Sequence, residues 1–160
     1  LGGQRFRSDV LAANLSEINR VFAYIATCGA EIDAMDLTSF DPFVSFWHGT
    51  FKALALDAAY QQLGDYLRSE YGIEKLSIMN PGSGNVDTWP IEQQRELFAL
   101  FGDTKEQIGV RLTDSYLMVP DKTTSGLLFA SDVQYVNCHS CEREICPDRR
   151  APFKGATSAR

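Results

Sequence analysis

Three cysteines lie close together near the end of the chain, at Cys138, Cys141 and Cys146. Two thiolates separated by two residues can bind one metal ion within a tight turn, and a third can complete one face of a tetrahedral zinc site or part of an iron-sulfur cluster. This spacing predicts zinc or iron-sulfur binding, with a redox-active thiol pair and a metal-free turn as the alternatives. The fourth ligand would be Cys28, His139, a residue of another chain or an exogenous group. Cys28 stands alone in the sequence, and its alternative role is that of a small buried hydrophobic side chain.

A second candidate for chemistry is the glycine-rich stretch Pro81–Asn85, which follows the short apolar run Leu76–Met79. The apolar run predicts a buried strand, which must end near Asn80 because proline lacks an amide donor and glycine favours turns. Pro90 is typical of a first helical turn and Thr88 of an N-cap, so a helix is predicted to begin there. A glycine loop between a strand and a helix lets a ligand approach the backbone, whereas the alternative is an ordinary connecting loop. The candidate ligand-binding residues are Asn80, Pro81, Gly82, Ser83 and Gly84.

The composition indicates an ordinary globular domain. With 160 residues, 44% of them hydrophobic and 22% charged, the chain is long enough to bury a substantial core. The formal net charge of -6 argues against a nucleic-acid-binding or anionic-membrane surface, because either would need clustered Lys and Arg. The sequence has no run of about 18 apolar residues and no secretion signal, so we expect a cytoplasmic protein with no membrane partner.

The segments around these candidates show helical and strand patterns. Ser8 is typical of an N-cap, which predicts a short helix through Leu15 and then a strand over residues 18–27. The range Pro42–Tyr71 contains no further proline and has wide apolar coverage, which predicts one long helix packed across a sheet or against other helices. A shorter helix is predicted over residues 104–109.

The second half of the chain has two runs with strand character. Residues 110–119 and 123–130 are predicted to form a hairpin with its turn at residues 120–122. Together with the two earlier strands, this order indicates an α+β fold rather than a regular βαβ repeat. We expect one α+β domain over residues 1–136 and a cysteine-containing tail over residues 137–160.

Several short blocks of sequence carry a family resemblance: Ala26–Gly29, Asp57–Ala59, Asn80–Gly82 with Trp89–Ile91, Gly109–Ser115, and Met118–Pro120 with Ser125–Gly126. They resemble the activation domain of cobalamin-dependent methionine synthase, in particular small stand-alone relatives with a C-terminal cysteine motif. The resemblance implies an α+β fold with a twisted antiparallel sheet, a long helix and several shorter helices. It also implies a domain that binds S-adenosylmethionine, so that an oxidised, inactive cobalamin can be reductively methylated.

The ligand loop departs from the pattern Arg-Pro-Ala-Pro-Gly-Tyr of that family. Ile78 and Ser83 stand where the resemblance places the arginine and the tyrosine. The guanidinium that would pair with the ligand carboxylate is therefore missing, and we expect S-adenosylmethionine to bind weakly or not at all. Tyr135 matches the tyrosine that follows the last strands in the family, so the resemblance adds it to the candidate ligand-binding residues.

The resemblance implies an accessory protein of corrinoid-dependent methyl transfer. Such a protein would dock on a corrinoid protein or corrinoid methyltransferase, with cobalamin on that partner or bound directly, and would not catalyse the full reaction alone. The cysteine cluster offers an alternative of another class, an electron-transfer or cobalt-ligating module that uses zinc or an iron-sulfur cluster. A catalytically silent structural relative is the third reading.

Overall fold

Antiparallel strand pairing organises the fold, as a computed structural model shows for residues 1–37, 40–132, 135–147 and 149–155. In chain order, the elements are α1 (Asp9–Leu15), β1 (Val21–Thr27), α2 (Ala30–Asp33), α3 (Pro42–Tyr71), β2 (Leu76–Met79), α4 (Gln94–Ala99), α5 (Thr104–Ile108), β3 (Arg111–Leu112), β4 (Met118–Val119) and β5 (Thr123–Ala130). Two 3-10 turns lie at Ile91–Gln93 and Asn137–Ser140. The predicted α+β fold with one long helix, shorter helices and antiparallel sheets is confirmed.

Strand β5 occupies the centre of a three-stranded sheet with the order β1, β5, β2. It pairs with β2 in antiparallel fashion, with Ile78 opposite Leu128 and Met79 opposite Leu127. Leu127, Leu128 and Phe129 are all buried. An uninterrupted apolar run of this kind is typical of a strand that is covered on both faces, and it distinguishes the central strand of the sheet.

The chain forms two compact units. The first contains the described residues of Leu1–Tyr24, Ile73–Leu100 and Ser125–Arg160, and the second contains those of Ile25–Gly72 and Phe101–Thr124. Strands β1 and β5 contribute residues to both units. The described part of the cysteine-containing tail belongs to the first unit. Its treatment as a region separate from a domain over residues 1–136 stays a prediction.

Local capping signals explain the helices that were predicted. The Ser8 hydroxyl accepts a hydrogen bond from the Leu11 amide at 2.9 Å and begins α1. Asp41 caps α3 through the amide of Phe43, and Gly72 ends this helix in the left-handed conformation. The long helix therefore has the ends that the sequence predicts. Gly64 and Leu67 are the buried residues of α3, and its N-terminal half contacts α2 on one side through His48 and Lys52 while its other side is exposed.

The predicted hairpin between residues 110–119 and 123–130 is wrong. Instead, β3 pairs with β4, with Arg111 opposite Val119 and Leu112 opposite Met118. The amide of Leu117 donates to the Thr113 hydroxyl at 3.0 Å, while the Thr113 amide donates to the Leu117 carbonyl at 2.8 Å. A polar turn inside the apparently continuous strand thus folds it on itself, and β5 pairs in the other sheet.

The helix after the glycine-rich stretch begins later than predicted. Pro90 has ψ of 137°, so it lies outside the helix, which starts with the 3-10 turn at Ile91–Gln93 and continues as α4. Thr88 does not cap it: its hydroxyl is buried and has no hydrogen-bond partner among the residues that the structure describes. The expectation of a Thr88 cap is therefore wrong.

Among the helices that the structure describes, none combines the length and the apolar character needed to cross a lipid bilayer.

Candidate functional site

Asn80 is the residue on which the candidate site is built. It follows the last residue of β2 and uses both ends of its amide group. The Nδ2 group donates to the Tyr24 hydroxyl at 2.6 Å and to the Ser125 carbonyl at 2.8 Å, while Oδ1 accepts from Asn137 Nδ2 at 2.6 Å. Asn80 therefore connects β1, β5 and the segment around Asn137 at one point.

Residues 80–85, here called the glycine loop, form a tight turn. The Ser83 amide donates to the Asn80 carbonyl at 3.2 Å, and the Gly82 amide donates to the Trp89 carbonyl at 2.8 Å. Gly82 and Gly84 have φ of +74° and +91°, a conformation that residues with a Cβ rarely adopt. The two glycines thus serve the turn itself, and the Gly82 amide is engaged inside the protein.

The space above the two glycines is filled by the protein's own side chains. A Cβ on Gly82 would lie 3.0 Å from the Ile91 side chain, and a Cβ on Gly84 would lie 2.9 Å from Ser140 Oγ and 3.1 Å from Thr88 Oγ1. The close approach that the glycine pattern predicts for a ligand is therefore made by Ile91 and Ser140. A ligand that reaches Gly84 has to displace Ser140.

Residues 135–147, here called the tail segment, make polar contacts with β2, with the glycine loop and among themselves. The Tyr135 amide donates to Ser77 Oγ at 2.8 Å, and the Tyr135 and Ser140 hydroxyls are 2.9 Å apart. The Glu142 amide donates to Asn85 Oδ1 at 3.1 Å. Ser77, Tyr135 and Ser140 are buried, so the first two of these hydrogen bonds are shielded from water, whereas the bond between Glu142 and Asn85 is exposed.

Two titratable groups of the tail segment have pKa values shifted by their surroundings. Burial raises the pKa of the Tyr135 phenol, although the hydrogen bond with Ser140 acts in the opposite direction. Burial lowers the pKa of His139, and the positive charge of Lys154 lowers it further. Both shifts favour the neutral form of the side chain concerned.

The three tail cysteines are partly exposed thiols without a disulfide. The Arg150 amide donates to Cys138 Sγ at 3.4 Å, and the Arg149 guanidinium donates to the carbonyls of Cys138 and Cys141 at 3.4 and 3.3 Å. The same guanidinium donates to the Arg143 carbonyl. The Arg149 guanidinium is therefore a common hydrogen-bond donor to three backbone carbonyls of this turn. The sequence pattern did not predict this role.

Within the described ranges, no three Cys, His, Asp or Glu side chains are grouped so that they could hold a metal ion. The structure therefore does not bring Cys138, Cys141 and Cys146 together as a ligand set. Cys28 lies in the second unit, where it is buried and its thiol donates to the Gly29 carbonyl at 3.6 Å. Burial raises the pKa of the Cys28 thiol, as for a thiol in the core. Zinc or iron-sulfur ligation by these four cysteines stays a prediction.

All the residues predicted from the glycine pattern and the resemblance lie in one place. Asn80, Pro81, Gly82, Ser83 and Gly84 form the loop, and Tyr135 reaches it through Ser140. Sequence reasoning missed Asn137 and Ser140, which make the contacts between the tail segment and the loop. Asn137 precedes the cysteine motif and Ser140 lies between its first two cysteines. No sequence signal distinguished these small polar residues from other residues of the motif.

The comparison with known families agrees with this geometry. Residues 73–151 match the sequence model of the family described as vitamin B12 dependent methionine synthase, activation domain. The matched range includes β2, the glycine loop, β5 and the tail segment. The match confirms the resemblance to this activation domain over those residues and supports a role related to cobalamin-dependent methionine synthase, whereas the likeness to stand-alone relatives with a C-terminal cysteine motif stays a prediction. None of the curated proteins matches this chain.

Proposed function

We propose that this chain, whose residues 73–151 match the methionine synthase activation domain family, is an accessory protein of corrinoid-dependent methyl transfer. It docks on a corrinoid protein or corrinoid methyltransferase and assists the return of an inactive corrinoid to the methyl-transfer cycle. The observation that carries this proposal is the family match over the range that holds the glycine loop and the tail segment. The cobalamin belongs to the partner protein in this proposal.

Binding to a corrinoid-loaded partner tests the proposal directly. A corrinoid methyl-transfer protein from the same organism is loaded with cobalamin and sedimented alone or with excess chain, and the corrinoid is followed by its visible absorbance. We expect the coloured species to sediment faster in the presence of the chain. The same partner without corrinoid, followed through a fluorescent label, is the matched control and should bind more weakly. An unchanged sedimentation rate of the loaded partner would contradict the proposal.

Reactivation is the second part of the test. After oxidation of the corrinoid to its inactive state, the mixture receives a chemical reductant and a methyl donor. We expect the methylated corrinoid spectrum to return faster with the chain than without it. Equal rates, in a mixture where the complex has been shown to form, would support docking and contradict assistance.

We also propose that the glycine loop of this chain does not hold S-adenosylmethionine in the manner of the family. The expected guanidinium is replaced by Ile78, the expected tyrosine by Ser83, and Ser140 lies over Gly84. The residues present therefore do not fit a carboxylate-bearing ligand at this loop. In titration calorimetry we expect a dissociation constant above about 1 mM, which corresponds to less than about 4 kcal/mol of binding free energy. Micromolar affinity would show that another cation has replaced the missing arginine.

The alternative function, a zinc or iron-sulfur module built on the tail cysteines, needs a local rearrangement of the tail. The described residues do not place the thiols as a ligand set. Anaerobic purification followed by metal and sulfide analysis distinguishes the two functions. Stoichiometric metal that is lost on Cys141→Ser replacement would support the alternative, and metal-free protein that still binds the corrinoid partner would exclude it.

A further inference from the structure

The N-terminal half of α3 exposes five large apolar side chains. Their exposed fractions are 74% for Phe43, 67% for Phe46, 54% for Trp47, 60% for Phe51 and 58% for Leu54. At 100° per residue these positions cover an arc of about 140° of the helix, and they span about 17 Å along its axis. Phe46 and Trp47 also meet edge to face, with ring centroids 5.8 Å apart. The five side chains, here called the aromatic face, lie on one side of the helix, with Thr50 among them.

The aromatic face carries no charge. Between residues 42 and 56 the only charged side chain is Lys52, and it is turned away from the solvent. Its side chain is 12% exposed, and its Nζ lies 2.8 Å from Asp33 Oδ1 and 2.5 Å from Asp121 Oδ1. Lys52, the only cation between residues 42 and 56, is therefore paired with two acidic side chains of the second unit. A partner for the aromatic face is therefore selected by apolar shape and not by charge.

The area of the aromatic face, if it is fully covered, reaches the lower limit of a specific protein interface. A large apolar side chain offers roughly 200 Å², so the exposed fractions of the five residues amount to roughly 600 Å². Exposed apolar patches of this size mark interaction sites on soluble proteins. If the same face covers itself in a second copy, the contact buries about 1,200 Å² in total, which reaches the range of specific protein interfaces. Aromatic enrichment and the depletion of charge are also typical of interface cores.

We propose that two copies of this chain associate through the aromatic face of α3 about a twofold axis. A twofold contact places the same surface on both sides, so each face must complement itself. The five side chains satisfy this condition because none of them is charged, and the nearest exposed acid in the same sector of the helix is Asp57, one turn beyond Leu54. The proposal is independent of the corrinoid-related function.

Sedimentation equilibrium tests the proposal. A phosphine reductant is present because the free tail cysteines would otherwise form disulfide-linked species. As the concentration of wild-type protein rises over roughly 1 to 100 µM, we expect its mass to approach twice the 17.8 kDa chain mass. Trp47→Glu with Phe51→Glu should weaken association at least about 100-fold, because like charges then face each other across the axis.

The matched control is Tyr66→Glu, which changes an exposed aromatic residue of the same helix outside the aromatic face. It should associate as the wild type does. Circular dichroism verifies that all variants keep their helix content, and acrylamide quenching of tryptophan fluorescence gives a second readout. Quenching reports Trp47, because Trp89 is fully buried, and it should fall as the wild-type concentration rises.

A wild-type chain that remains monomeric at 100 µM would overturn the proposal, including the case where the face binds a different protein. A double-Glu variant that associates like the wild type would overturn it as well, because the contact would then lie elsewhere. Quenching that does not change with concentration, in a sample that sediments as a dimer, would exclude the aromatic face from the contact.

Discussion

Replacing Asn80 with alanine removes the side chain that joins the glycine loop to the sheet and to the tail segment. The bonds to Tyr24, Ser125 and Asn137 are lost, and all three of these partners lie in the first unit. Each bond contributes about 1 kcal/mol net, and partner groups left unpaired inside the protein add to the loss. We therefore expect the free energy of unfolding to fall by roughly 2–4 kcal/mol, with a melting temperature roughly 4–16 °C lower.

Urea unfolding followed by tryptophan fluorescence measures this loss. Trp89 is fully buried in the first unit, with its ring centroid 5.7 Å from that of Phe6, so its emission reports the unit that contains Asn80. Asn85→Ala is the matched control, because its side-chain oxygen accepts one exposed hydrogen bond from the Glu142 amide. The control should lose about 0.5–1 kcal/mol. An Asn80→Ala protein within about 0.5 kcal/mol of the wild type, or equal to the control, would refute the central role of Asn80.

Other positions give further expected outcomes. Gly84→Ala places a Cβ at φ of +91° and 2.9 Å from Ser140 Oγ, so it should cost about 1–2 kcal/mol and speed maleimide labelling of the tail cysteines as the tail segment loosens. Gly49→Ala in α3 meets no atom within 4 Å, so the free energy of unfolding should rise by about 0.5–1 kcal/mol in urea titrations. The hydrogen bonds to Asp121 and Asp33 raise the pKa of Lys52 to about 12. Their stabilisation is complete below the ordinary lysine pKa and is lost as pH rises toward 12, so wild-type stability should fall there more steeply than that of Lys52→Met.

Each of these three expectations has a result that would contradict it. Unchanged labelling rates in Gly84→Ala would mean that the tail segment does not depend on the loop for its position. A destabilised Gly49→Ala would show that a partner group packs closely on that side of α3. Parallel pH curves for the wild type and Lys52→Met between pH 10.5 and 12 would contradict the ion pairs of Lys52 in solution.

The sequence predicted those features that depend on neighbouring residues. Asp41, Pro42 and Gly72 define the ends of α3 through their own backbone preferences, and Ser8 begins α1 in the same way. The glycine loop was located for the same reason. Its role differs from the prediction because Ser140, 56 residues later in the numbering than Gly84, fills the space that the glycines leave. No local pattern carries that information.

The prediction of strand pairing was wrong because pairing depends on segments that are distant in the sequence. The run over residues 110–119 has strand character throughout, and nothing within it indicates that β5 pairs with β1 and β2 instead. For α3, the apolar pattern predicted a helix that packs across a sheet or against other helices. It did not show whether the apolar surface of that helix would be covered by the same chain, and Phe43 and Phe51 remain exposed.

The central position of β5 has a consequence for biosynthesis. The Thr123 and Thr27 hydroxyl oxygens are 3.0 Å apart and 96 residues separate them in the chain, so β1 is synthesised long before its neighbour. At about 5–20 residues per second, roughly 5–20 s pass between the two strands. During that time the apolar strand Val21–Thr27 has an open edge, which is a template for pairing with other nascent chains. Yield in the cell should therefore depend on chaperones that bind short apolar strands, and slower translation over the intervening residues should lower it.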